Sequence, residues 1–239
     1  MNRWMAVCVL AIFVLMSAAT AAEVKLEVAT DGKVTVTKDG QVVWRMLPML
    51  FTPDWKGQKQ RVPQEGYPKK TDGKTELRFT LTPQGQEGVV NVTMTVSVEK
   101  DTAEFHYVFE VPQALKLNAL SVSTRMPVEV LSGKILKLGG MDIELPAEHT
   151  QGVVVDLFRG NMERATYPIP GLEMQLTTDP DTFCRVHDLR EWNVNEYEAR
   201  LELLGEPQNQ EIAAGAKYEK KITVRIPGLT ESVIGKVGP

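Results

Sequence analysis

The chain has 239 residues, with 27 Lys+Arg against 31 Asp+Glu and a formal net charge of −4. At 43% hydrophobic and 24% charged residues it has ordinary globular composition, which excludes a disordered tail, a collagen-like repeat and a multi-span membrane protein. No strong basic block offsets the acidic balance, so no nucleic-acid partner is expected.

Residues 1–22 read as a secretory signal peptide. Arg3 supplies the positive start, Trp4 to Met16 is an unbroken apolar run, and Ala19-Thr20-Ala21 gives the small-x-small pattern of a cleavage site. The alternative is an uncleaved membrane anchor, because the segment could just span a bilayer. Cleavage implies export to the periplasm or cell exterior, with no membrane contact afterwards. It also removes Cys8 and leaves Cys184 as a lone cysteine without a disulfide partner.

The mature sequence alternates with period two. Asp31-Gly32 and Asp39-Gly40 lie between short apolar-alternating runs and predict tight hairpins. Residues 48–74 show no period and read as a long loop, locally about +3, carrying Trp55 and Tyr67. Leu77, Phe79 and Leu81 alternate, and Val90 to Val98 and Phe105 to Val111 predict a hairpin turning at Glu99–Thr102. Arg159 to Arg164 reads as a charged turn before the Leu172-Met174-Leu176 strand. Asn195 to Leu204 has helix-forming residues, yet Tyr197, Ala199, Leu201 and Leu203 alternate with charged neighbours, so a strand is predicted. Tyr218 to Ile226 supplies a closing strand. The expected fold class is all-β: a large antiparallel β-sandwich, supersandwich-like, of roughly 14–16 strands with few or no helices. Residues 23–239 are expected to form one domain, the alternative being two smaller sandwiches split near 127.

The sequence holds no Gly-x-Ser-x-Gly elbow and no phosphate-cradling loop. His106, His149 and His187 form no ligand pair. Cys184 and His187, three apart on a strand, point to opposite faces. No metal or cofactor is therefore expected. Catalytic alternatives rest on His106, with Glu104 and Glu110 on its face, or on Glu144, Glu148 and His149 around Pro146. The densest polar and aromatic cluster is His187 to Asn195. Asp and Arg there could bond sugar hydroxyls and Trp192 could stack on a pyranose face. The same residues could equally close a corner of a β-protein. The ligand-binding candidates are Trp55, Tyr67, Asp188, Arg190, Trp192 and Asn193.

Leu157-Phe158-Arg159-Gly160, Gly171-Leu172-Glu173-Met174, Asp188 to Trp192 and Tyr197 to Leu201, with Ala214 to Tyr218 leading into Ile222–Ile226, carry a resemblance. Over residues 100–227 the chain resembles galactose-mutarotase-like supersandwich modules, which accompany secreted bacterial glycoside hydrolases and polysaccharide lyases. The resemblance implies two curved antiparallel sheets and a carbohydrate groove on the concave one. Mutarotases of that family use His and Glu as acid and base, and no such pair maps onto this sequence. The leading expectation is a secreted, non-catalytic module that binds carbohydrate or polysaccharide, the basic loop suggesting an acidic glycan. The alternatives are a glycosidase, lyase or mutarotase, and a structural or protein-interaction module of the cell envelope. Oligomeric state is not legible.

Overall fold

The structure is a computed structural model describing residues 22–152, 156–206 and 208–236; the expected signal peptide, Ala22 apart, lies outside the described residues. The first strands form a meander: β1 (Val24–Ala29), β2 (Val34–Lys38) and β3 (Gln41–Phe51). Asp39 and Gly40 both take positive φ, 51° and 80°. That twist matches the flanking strands and closes the predicted hairpin.

The stretch expected as a long loop contains two strands, β4 (Gln58–Pro63) and β5 (Lys69–Thr71), both paired with β6 (Lys74–Pro83). Neither holds a buried residue. An edge strand with water on both faces has no apolar alternation, so its sequence carries no period to read. The hairpin of β7 (Val90–Glu99) and β8 (Thr102–Val111) forms as predicted, with Lys100 at φ 53° in the turn.

Then come β9 (Leu115–Leu117), β10 (Ala119–Pro127), the single-turn helix α1 (Val128–Leu131), β11 (Ile135–Leu138) and β12 (Met141–Glu144). Two long strands follow, β13 (Asp156–Ile169) and β14 (Leu172–Asp188). Arg159 to Arg164 is not a turn but part of β13, at a register irregularity between Met162 and Arg164. A 3₁₀ turn (Leu189–Trp192) leads to β15 (Glu196–Glu202), a strand rather than a helix. The chain ends with β16 (Gln210–Ile212), β17 (Ala216–Arg225) and β18 (Leu229–Lys236). The eighteen strands among the described residues exceed the expected number because several span only three or four residues, too few to show a period.

Sixteen strands join one sheet, whose main path runs β18-β1-β2-β3-β10-β15-β14-β17-β8-β7-β6-β4. Neighbours are antiparallel except β1 and β18, which pair in parallel. The path curls back on itself, so that β6 near one end contacts β3 and β18 near the other. The apolar faces meet inside, around Trp44, Tyr107, Tyr167, Tyr197 and three phenylalanines, in one continuous core cluster. Burial on this scale is the main stabilising term. Cys184 lies in that core, with burial pushing its thiol pKa up, while His187 faces the other way.

Candidate functional site

The central strands β3, β10, β15 and β14 turn their even-numbered or odd-numbered residues to the core according to register. Met46, Val122, Tyr197 and Val186 face inward. The opposite face holds an array of charges instead of a wetted surface. Ser123 stands opposite Arg200, and Arg200 opposite Arg185; Arg125 stands opposite Glu198, and Glu198 opposite His187. Cross-strand partners on one face lie close enough for direct contact.

Glu198 is the hub. Its carboxylate accepts from Ser123 Oγ at 2.5 Å and pairs with Arg125 Nη2 at 3.0 Å and Arg200 Nη2 at 3.3 Å, with His187 Nδ1 at 3.5 Å. Burial pushes its pKa up, but the charges of Arg200 and Arg125 and the bonds from His187 and Ser123 outweigh burial and hold the carboxyl far below the usual carboxylate range. His187 Nε2 lies 2.8 Å from Asp156, which also receives Arg185 Nη2 at 2.9 Å. Glu202 sits two residues beyond Arg200 on the same face. Burial, with repulsion from Glu198, pushes its pKa up to about 8 against the opposing pull of Arg200 and Arg185.

Over this array lies a pocket of about 510 Å³. That size suits one or two small-ligand units. Its floor is Arg125, Arg185, His187, Glu198 and Arg200, and its walls include Met49, Phe51, Leu189 and Val194. Two tryptophans from separate segments flank it: Trp55, 48% exposed, and Trp192, 55% exposed. Trp55 sits on a turn where Thr52 Oγ1 donates to Asp54 at 2.5 Å, the Trp55 N–H donates to the Thr52 carbonyl, and Trp55 takes a φ of 60°. A non-glycine residue in that region is uncommon and is held here by the turn's bonds. Its indole lies over Arg200 and Arg185, 5.7 and 6.0 Å from ring centroid to guanidinium. Trp192 ends the 3₁₀ turn and meets His187 edge-on at 6.1 Å.

The structure thus brings two of the six sequence candidates, Trp55 and Trp192, to one pocket. Asp188, Arg190 and Asn193 build the corner that carries Trp192 and do not line the pocket. Asp188 accepts from the Arg190 backbone N–H and side chain, while Arg190 also donates to the carbonyls of Pro146 and Ala147 at 2.8 and 2.9 Å. Asn193 caps the turn at φ 60°. Tyr67 stands elsewhere, its ring beneath Lys69 and Arg78. His106 is on the outer surface, paired with Glu219 at 3.0 Å, and His149 faces Asp188 and Glu191. Among the described residues no three His, Cys, Asp or Glu side chains cluster as a metal site.

The floor arginines, His187 and Glu198 are the residues that sequence reasoning did not propose as ligand contacts. For Glu198 and Arg200 the signal is present in the charged half of the Glu196–Glu202 alternation. Only the strand order reveals that this charged face is covered rather than wet.

No protein-family model matches the chain, and no curated protein matches its sequence. Solved structures resemble it. A galactose mutarotase-like protein from Lactobacillus casei ATCC 334 has 12% identity and a TM-score of 0.47, over 83% of this chain and 95% of that one. A candidate aldose 1-epimerase from Escherichia coli K12 has 10% identity and a TM-score of 0.47, over 86% of this chain and 98% of that one. The α-N-acetylgalactosaminidase of Bifidobacterium bifidum, solved as its GalNAc complex, has 10% identity and a TM-score of 0.51. It is matched over 84% of this chain, which spans 34% of that enzyme. The likeness to the α-N-acetylgalactosaminidase is one of fold and covers more of the chain than the expected residues 100–227. Fold alone does not assign activity.

Proposed function

We propose that this chain is a non-catalytic, carbohydrate-binding β-supersandwich, exported to the periplasm or cell exterior, whose ligand lies in the pocket between Trp55 and Trp192. The observation that carries this reading is the pair of half-exposed indoles from separate segments flanking a pocket floored by guanidiniums. A pyranose has an apolar C–H face that an indole covers and a rim of hydroxyls that arginine and carboxylate groups bond. The pocket offers both chemistries together.

The non-catalytic half rests on Glu198 and Glu202. The Glu198 carboxylate accepts from Ser123 and is paired with Arg125 and Arg200, which hold it ionised and make it a weak base. Glu202 holds its proton but does not line the pocket. A second reading, a glycosidase, lyase or mutarotase, draws support from these two acids, whose protonation is held far apart on one strand face, a pattern found in acid–base pairs. It needs Arg200 to move and open Glu202 to substrate.

The test is a thermal-shift and glycan-array screen of the protein against neutral and acidic oligosaccharides. A binding glycan raises the melting temperature by mass action. Trp55→Ala and Trp192→Ala are each expected to weaken binding at least tenfold without lowering the melting temperature of the unliganded protein. Turnover that disappears in Glu202→Gln would favour the enzyme. Binding to no glycan would contradict the proposal and favour an envelope interaction module.

A further inference from the structure

The charges of the pocket floor do not balance. Arg45 pairs with Glu196 at 2.5 Å, and Arg185 with Asp156. Arg125 and Arg200 share the carboxylate of Glu198, and Arg125 also reaches Glu196, already paired with Arg45, at 3.6 Å. The nearest remaining acid, Glu202, approaches Arg200 Nε only to 3.6 Å, and neither of its oxygens has a hydrogen-bond partner. Burial keeps that carboxyl protonated at neutral pH, so it leaves one guanidinium uncompensated.

The hydrogen bonds show the same surplus. Arg200 is 5% exposed, and its Nε and Nη1 have no partner; Arg185 Nε has none either. The two side chains stand directly opposite each other across β14 and β15. Like charges so placed repel, and buried donors left unbonded cost free energy. A planar anion received between them would relieve both penalties.

We propose, building on the carbohydrate reading above, that the sugar unit taken by this pocket is a uronic acid, its carboxylate received by Arg200 and Arg185. Both guanidiniums lie beneath the Trp55 ring, that of Arg200 also against Phe51 at 4.6 Å, and their unbonded nitrogens are buried there. The carboxylate reaches them as the indole passes from the guanidiniums to the sugar face. The selecting cations are these floor arginines. Two cations of the nearby surface stretch are already engaged, Lys56 by Asp54 and Arg61 by Asp31.

The experiment compares oligomers of galacturonate, glucuronate and mannuronate with the same oligomers reduced at the carboxyl to neutral alcohols. A sulfated neutral galactan serves as the third arm. Calorimetric titration is expected to show one uronate series binding at least tenfold more tightly than its reduced counterpart, with affinity falling as salt rises. Arg200→Gln is expected to erase the difference while residual neutral binding survives. Should that variant fail to fold, Arg185→Gln, at a less buried position, carries the same expectation. Equal affinity for reduced and unreduced oligomers would overturn the inference and leave the carbohydrate reading standing. Preference for the sulfated galactan alone would overturn the uronate assignment. Binding to none would overturn both readings.

Discussion

At the residue scale, the two glutamates of β15 give the molecule a pH signature. The Glu202 carboxyl keeps its proton up to about 8 in the folded chain, against 4.5 for the free group. Between those values the folded state binds the extra proton, so stability falls as pH rises through that window. Glu198 acts with the opposite sign: its pKa is depressed, so its contribution is present above 4.5 and is lost as pH falls through the depressed value. Denaturant unfolding at pH 5 and pH 8 should therefore show the wild type losing on the order of a few kcal/mol on the alkaline side. Glu202→Gln should flatten that slope. An unchanged slope would mean that Glu202 ionises freely in the folded protein. These residues also mark where the sequence stops being informative. Trp55 and Trp192 stand out in the sequence because few residues there are large and aromatic. Arg125, Arg185 and Arg200 do not, because an arginine alternating on a strand looks the same whether its face is wet or covered.

At the scale of elements, the corner between β14 and β15 positions the pocket. Asp188 is nearly fully buried, and Arg190 ties it to the Pro146–Ala147 carbonyls across more than forty residues of chain. The Tyr197 hydroxyl donates to the same Pro146 carbonyl at 2.5 Å. Removing the guanidinium leaves the buried Asp188 carboxylate without its charged partner and takes one donor from each of the two carbonyls, Pro146 keeping the Tyr197 hydroxyl. Arg190→Ala should accordingly destabilise the fold by about 3 kcal/mol. It should weaken ligand binding only through the looser seating of Trp192. A melting temperature equal to wild type would show that the corner is held by other contacts. The sequence makes the Asp188–Trp192 cluster conspicuous and leaves its role open between ligand contact and corner closure. In the structure the Asp188 carboxylate and the Arg190 guanidinium bond each other. Strand existence was legible where apolar residues alternate, as in β7, β8 and β15, but not in the Arg159–Arg164 stretch of β13. It was not legible in β4 and β5, which bury nothing.

At the scale of the whole molecule, the curled sheet explains how a pocket arises with hardly any helix among the described residues. Its apolar side closes on itself as the core, and the four strands at its centre present their other side to the pocket. Alternation in the sequence conveys the all-β class and the hairpins, which are local. The strand order is non-local: β3 pairs with β10, and β10 with β15, across tens of residues, so the meeting of Trp55 and Trp192 has no local signal. The central claim is that these two indoles hold one sugar between them. It is tested most directly in the ¹H–¹⁵N spectrum of the labelled protein, titrated with the uronate and neutral oligosaccharides. The indole N–H signals of Trp55 and Trp192, assigned through their alanine variants, should shift together with one midpoint. The signal of Trp44, fully buried in the core, should stay in place. A binding oligosaccharide that leaves both pocket indoles unmoved, or a panel in which no member moves them, would contradict the account.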